Sequence, residues 1–99
     1  VIVTRDEIAD PQALTITTTV NGEVMQQDTT ANMMFNIRAL ISYCSKNFTL
    51  EPGDLILTGT PSGVGLGRNP QVFLKDGDVV KVTIDGIGEI SNPCKVISE

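Results

Sequence analysis

Asn21-Gly22 lies between two runs that alternate apolar with polar residues, and few dipeptides constrain a backbone more. A two-residue type I′ turn needs positive φ at both central positions, which asparagine tolerates and glycine adopts freely. On one side Leu14 to Val20 is β-branched and alternating, the pattern of a half-exposed strand. On the other, Glu23 to Gln27 returns as its partner. The hairpin commits this part of the chain to antiparallel sheet.

Helical spacing begins after Thr30. Met33, Ile37, Leu40, Ile41 and Cys44 fall at i, i+4, i+7, i+8 and i+11, a stripe facing a core. Thr29 or Thr30 is the expected N-terminal cap, Lys46 suits the negative end of the dipole, and Asn47 is the exit before Pro52-Gly53.

Two later segments share a plan. Glu51-Pro52-Gly53-Asp54 precedes the apolar run Leu55-Ile56-Leu57, and Lys75-Asp76-Gly77-Asp78 precedes Val79 to Ile84. Each reads as a turn in which glycine bends the chain and aspartate accepts nearby backbone N–H groups, leading into a buried strand. Val80, Val82 and Ile84 alternate with Lys81 and Thr83, so one face is expected to be buried. After Asp85-Gly86, Glu89 to Ile97 closes a second hairpin-like unit. Asp76-Gly77-Asp78 resembles the start of a calcium loop, but the later ligands and the closing glutamate are missing. With Val1-Ile2-Val3 as a further β-type triplet, the expectation is five or so strands and one helix. That is a β-dominated α+β fold, with antiparallel or mixed sheet.

The stretch with most chemistry is Thr58-Gly59-Thr60-Pro61-Ser62-Gly63-Val64-Gly65. Its glycines permit positive φ and close approach of backbone N–H groups to a ligand, and Pro61 pushes Thr60 toward an extended conformation. Thr58, Thr60 and Ser62 add hydroxyls, a combination suited to a carboxylate or enolate oxygen. The structural alternative is a tight connection between strands. The lack of a lysine between Lys46 and Lys75, and of a helical pattern after Gly65, argues against a phosphate loop.

Composition removes several function classes. A net charge of −5 argues against a general nucleic-acid binder. No apolar run approaches the length of a transmembrane helix, and no signal-peptide pattern opens the chain. Cys44 and Cys94 lack metal-ligand spacing and histidine is absent, which argues against zinc. The same absence removes the side chain best suited to proton transfer at neutral pH. Two unspaced cysteines fit free thiols and a cytoplasmic location.

Taken in order, the motifs resemble a known family. Val20-Asn21-Gly22-Glu23, Gln26 with Thr30, Leu50-Glu51-Pro52-Gly53-Asp54, the Thr58–Gly65 stretch, Leu74-Lys75-Asp76-Gly77-Asp78 and Gly86-Ile87-Gly88 come at the spacings of a fumarylacetoacetate hydrolase family domain. The chain resembles its C-terminal half over essentially all of residues 1–99, as in the 2-hydroxyhepta-2,4-diene-1,7-dioate isomerase and acylpyruvase-like members.

The resemblance implies part of a mixed β-sandwich roll, commonly dimeric, acting on small 2-oxo or diketo acids. The implied chemistry is C–C bond hydrolysis, decarboxylation or dienoate isomerisation, usually with magnesium or manganese. It implies substrate-side roles for Thr60, for Gly59 as a backbone contact, and for Gln26 and Thr30 as site-wall or structural residues.

One departure matters. The family holds its metal with a Glu-x-Glu pair and a further aspartate on an upstream half, and this chain contains no Glu-x-Glu. The expectation is therefore a substrate-side wall whose metal ligands lie elsewhere, inactive alone and partnered by the N-terminal half of the domain. The competing reading is a non-catalytic β-rich binding or scaffold domain that keeps the loop for structure.

Overall fold

The computed structural model describes residues 1–98. Among these, four strands form one antiparallel sheet: β1 (Thr15–Val20), β2 (Glu23–Thr29), β3 (Val79–Ile84) and β4 (Gly88–Pro93). Their spatial order is β2-β1-β3-β4. One α-helix, α1 (Ile37–Asn47), and single 3-10 turns at Arg5–Glu7, Thr30–Asn32 and Gly65–Gly67 complete the regular structure. The fold is β-dominated α+β.

The first hairpin forms as its turn residues require. Asn21 and Gly22 both have positive φ, 52° and 83°. Asn21 also ties the turn to the start of β3. Its amide donates to Asp78 Oδ1 at 2.9 Å and its Oδ1 accepts from Val79 N at 2.9 Å. The Asn21 amide, followed by the Lys75 N–H, holds the Asp78 carboxyl below the usual carboxylate range.

The two sister turns are built alike. Asp54 Oδ2 accepts from Glu51 N at 2.8 Å, and Asp78 Oδ2 accepts from Lys75 N at 2.8 Å. In each, the aspartate N–H returns to the carbonyl three residues back, at 3.1 Å. The plan is set by residues within four positions of each other, which is why both copies could be read locally.

Beyond these turns the two segments diverge. Val79–Ile84 pairs with β1 and β4, but Leu55-Ile56-Leu57 makes no strand, and Leu55 and Leu57 are 85% and 95% exposed. A strand exists only where a neighbour satisfies its N–H and C=O groups, and apolar composition supplies no neighbour. Val1-Ile2-Val3 is non-strand for the same reason, and β4 ends at Pro93, short of Ile97.

The helix also starts later than its spacing suggests. Asn36 is the cap, its Oδ1 accepting from Ala39 N at 2.8 Å, so Met33 lies outside the helix. Thr29 caps the preceding 3-10 turn instead, accepting from Ala31 N at 3.2 Å. The exit at Asn47 agrees with expectation.

No described residue is fully buried. The expected buried face of β3 is half-exposed throughout, and of the helical stripe Ile41 is exposed. The surface of 8153 Å² compares with about 5,500 Å² for a folded monomer of this mass. The radius of gyration of 16.0 Å exceeds the roughly 13 Å of a compact chain of this length. These elements present faces without closing a core among themselves. Cys44 and Cys94 are unpaired.

Candidate functional site

The Thr58–Gly65 loop lies beside the end of β2 and the 3-10 turn after it, and together they line a cleft of about 480 Å³. Thr58, Gly59, Thr60, Pro61 and Ser62 of the loop line it, as do Asp28, Thr29, Thr30 and Asn32. Ile16, Met33, Met34, Phe35 and Leu40 make the apolar remainder. The cleft thus combines polar hydroxyls with apolar side chains, the mixed lining of a small-molecule pocket.

Gln26 and Thr60 are in direct contact. The Gln26 amide donates to Thr60 Oγ1 at 2.9 Å and to the Pro61 carbonyl at 2.7 Å. Gln26 therefore stands behind the loop and is not among the cleft-lining residues. Because Thr60 Oγ1 accepts from Gln26, its own O–H is left to donate elsewhere. Gly59 lines the cleft with φ +93°, a conformation an alanine would hold only with strain.

Thr30 is differently placed. Its hydroxyl donates to the Pro11 carbonyl at 2.7 Å and accepts from Leu14 N at 3.0 Å. Its carbonyl accepts from the Gln12 amide, whose Oε1 takes the first helical N–H, Ile37 N, at 2.9 Å. Thr30 lines the cleft, but its hydroxyl is committed on both sides to the backbone.

Asp28 was not singled out by its sequence context. Its Oδ1 accepts from the Asn32 amide at 2.8 Å and from Thr29 N at 2.7 Å. The Asn32 bond first, then the Thr29 N–H, hold this carboxyl below the usual range. Asp28 therefore keeps its negative charge at neutral pH. Since its pKa is depressed, the stabilisation is present above the ordinary carboxylate range and is lost as pH falls through the lowered value. Asn32→Ala is expected to raise the Asp28 pKa toward that of a free aspartate. Carboxylate ¹³C shifts followed against pH measure this, and an unchanged midpoint would refute the cause given.

Residues 1–95 match the profile of the fumarylacetoacetate (FAA) hydrolase C-terminal domain. The chain belongs to the fumarylacetoacetate hydrolase family. It is 54% identical over 92 residues to oxaloacetate tautomerase fahd2, mitochondrial, of Xenopus laevis, covering 93% of this chain and 29% of that protein. Fumarylacetoacetate hydrolase from psychrophilic Exiguobacterium antarcticum shares its structure at a TM-score of 0.90 and 44% identity, over 96% of this chain and 34% of that one. Maleylpyruvate hydrolase from Sphingobium sp. SYK-6, in complex with manganese (II) ion and pyruvate, gives a TM-score of 0.82 at 36% identity. That match covers 93% of this chain and 32% of the other. The chain thus spans about a third of the length of these family members.

Among the described residues no three His, Cys, Asp or Glu side chains converge. Asp76 and Asp78 are engaged by backbone and side-chain donors, Asp76 Oδ1 accepting from Val96 N at 2.8 Å. The described residues do not fit a magnesium or manganese centre.

Proposed function

We propose that residues 1–99 form the substrate-side wall of an enzyme that handles small 2-oxo or diketo acids through their enols. The observation that carries this reading is Thr60, whose hydroxyl oxygen accepts from Gln26 and which lines a cleft with Thr58, Gly59 and Ser62. Its O–H is free to donate to a carboxylate or enolate oxygen. Hydrolysis of a β-diketone, decarboxylation of a β-oxo acid and keto–enol tautomerisation share an enolate. A donor aimed at that oxygen, or one that orients the distal carboxylate, serves each of them.

The tautomerase named among the relatives favours enolisation of a 2-oxo dicarboxylate as the reaction. The chain's share of the work is to bind and orient. With no histidine it brings no neutral-pH base of the usual kind, and Asp28 is ionised and already hydrogen-bonded. Any divalent ion and the proton-transfer groups belong to the remainder of a longer polypeptide, which would also cover the exposed apolar faces.

The test uses the complete polypeptide that carries this segment, with magnesium or manganese supplied. Enol-oxaloacetate is mixed in and the decay of enol absorbance followed, with an acylpyruvate and maleylpyruvate as parallel substrates. Acceleration of oxaloacetate ketonisation is the expected result. Turnover of an acylpyruvate or maleylpyruvate alone would move the assignment to C–C hydrolysis. Binding of these acids without turnover of any would establish the non-catalytic binding domain instead.

A further inference from the structure

The register of the first hairpin skips one residue. Thr18 pairs with Gln26 and Thr19 with Val24, leaving Met25 as the extra residue of a β-bulge in β2. A bulge takes a residue out of the ladder and re-aims its groups. Here the Met25 carbonyl accepts from Arg68 Nη2 at 2.6 Å, across 43 positions of sequence. Arg68 Nε donates at the same time to the Gly63 carbonyl at 3.0 Å.

The half-buried Arg68 guanidinium is thus held by two main-chain acceptors. Among the described residues the ion pair that forms is Lys81–Glu89, and Arg68 spends its charge on two backbone carbonyls. Charged donors make the stronger hydrogen bonds, and the planar fork fixes both acceptors in one geometry. The two joined segments are in backbone contact, since a Cβ on Gly63 would lie 2.3 Å from Met25 O. One position along β2, Gln26 reaches Thr60 and Pro61. Consecutive residues of the bulge thus hold residues 60, 61 and 63 of the loop, one through its side chain and one through Arg68.

We propose that Arg68 is a positioning residue for the Thr60 site, clamping the glycine loop onto the Met25 bulge so that the Thr60 hydroxyl keeps its aim into the cleft. The inference rests on the reading of Thr60 as the substrate's donor. Arg68 does not line the cleft and acts only through the loop.

The test is a double-mutant cycle in the complete polypeptide with oxaloacetate, using Arg68→Lys, Thr60→Val and both together. Lysine keeps the charge but offers its donors from one nitrogen, without the planar fork that fixes two carbonyls in one geometry. Misplacing the loop should lower kcat/KM by about ten- to hundredfold. The double variant should lose no more than Thr60→Val alone, because both changes remove one function. In Arg68→Ala, added methylguanidinium should restore turnover saturably. Losses that multiply in the double variant, or a lowered Tm with unchanged kcat/KM per folded molecule, would overturn the proposal.

Should Thr60→Val itself leave kcat/KM unchanged, the donor reading fails and the clamp is judged by amide hydrogen exchange. Faster exchange confined to residues 58–65 in Arg68→Lys supports it, and unchanged exchange there refutes it.

Discussion

Gly63→Ala is expected to destabilise the protein by about 2–5 kcal/mol, the sum of overpacking and left-handed backbone strain. Gly63 has φ +108°, and the new methyl would sit 2.3 Å from the Met25 carbonyl, a backbone atom already held by Arg68. Two other glycines separate the contributions. Gly65 does not have a positive φ, but its Cβ would lie 1.8 Å from Val72 O, so Gly65→Ala tests collision alone. Gly77 has φ +87° with nothing within 4 Å, so Gly77→Ala tests strain alone, about 1–2 kcal/mol. Chemical denaturation of the three variants should place Gly63 and Gly65 well below Gly77. Equal midpoints for Gly63→Ala and Gly77→Ala would show that the loop yields freely, and the contact with the bulge would lose its significance. Gly63→Ala should also lower kcat/KM of the folded fraction, because the displaced loop carries Thr60.

Thr60→Val is expected to lower kcat/KM by about ten- to hundredfold, the equivalent of roughly 1.5–3 kcal/mol for a hydrogen bond to a charged oxygen. Valine keeps the shape and β-branching and deletes only the hydroxyl. Tm should change little. The Gln26 amide retains the Pro61 carbonyl at 2.7 Å, and Thr60 is exposed enough for water to replace its hydroxyl. A purely structural Thr60 predicts the reverse, a lowered Tm and unchanged turnover per folded molecule. Gln26→Leu refines the result. If Gln26 serves to turn the hydroxyl, its loss should lower kcat/KM in the wild-type background and little in Thr60→Val. Thr58→Val is a second control, because Thr58 lines the same cleft without the Gln26 contact.

Elements whose causes lie within a few residues were legible in the chain itself. The Asn21-Gly22 hairpin, the paired turns ending in Asp54 and Asp78, and the helix exit at Asn47 are all decided locally. The helix start misled for a related reason. Thr29 and Asn36 can both cap, and the choice fell to the one with an uninterrupted helical run after it. Thr60 was legible as one hydroxyl of the glycine loop, whereas Gln26 entered only through the family pattern, and nothing local joined the two. Arg68 stood among Leu66, Gly67 and Asn69, and its acceptors are the backbone carbonyls of Gly63 and Met25, which no side-chain pattern marks.

The sequence by itself determined the hairpin register at its turn, the α+β class and the loop that bears the hydroxyls, since these derive from φ preferences and side-chain period. Tertiary structure alone decided that Leu55-Ile56-Leu57 lies outside any strand, because hydrogen-bond partners for a strand come from distant residues. It also decided the Met25 bulge, the 34-residue reach from Gln26 to Thr60, and the 43-residue reach from Arg68 to Met25. Those contacts depend on where the sheet and loop meet in space, which no local preference encodes.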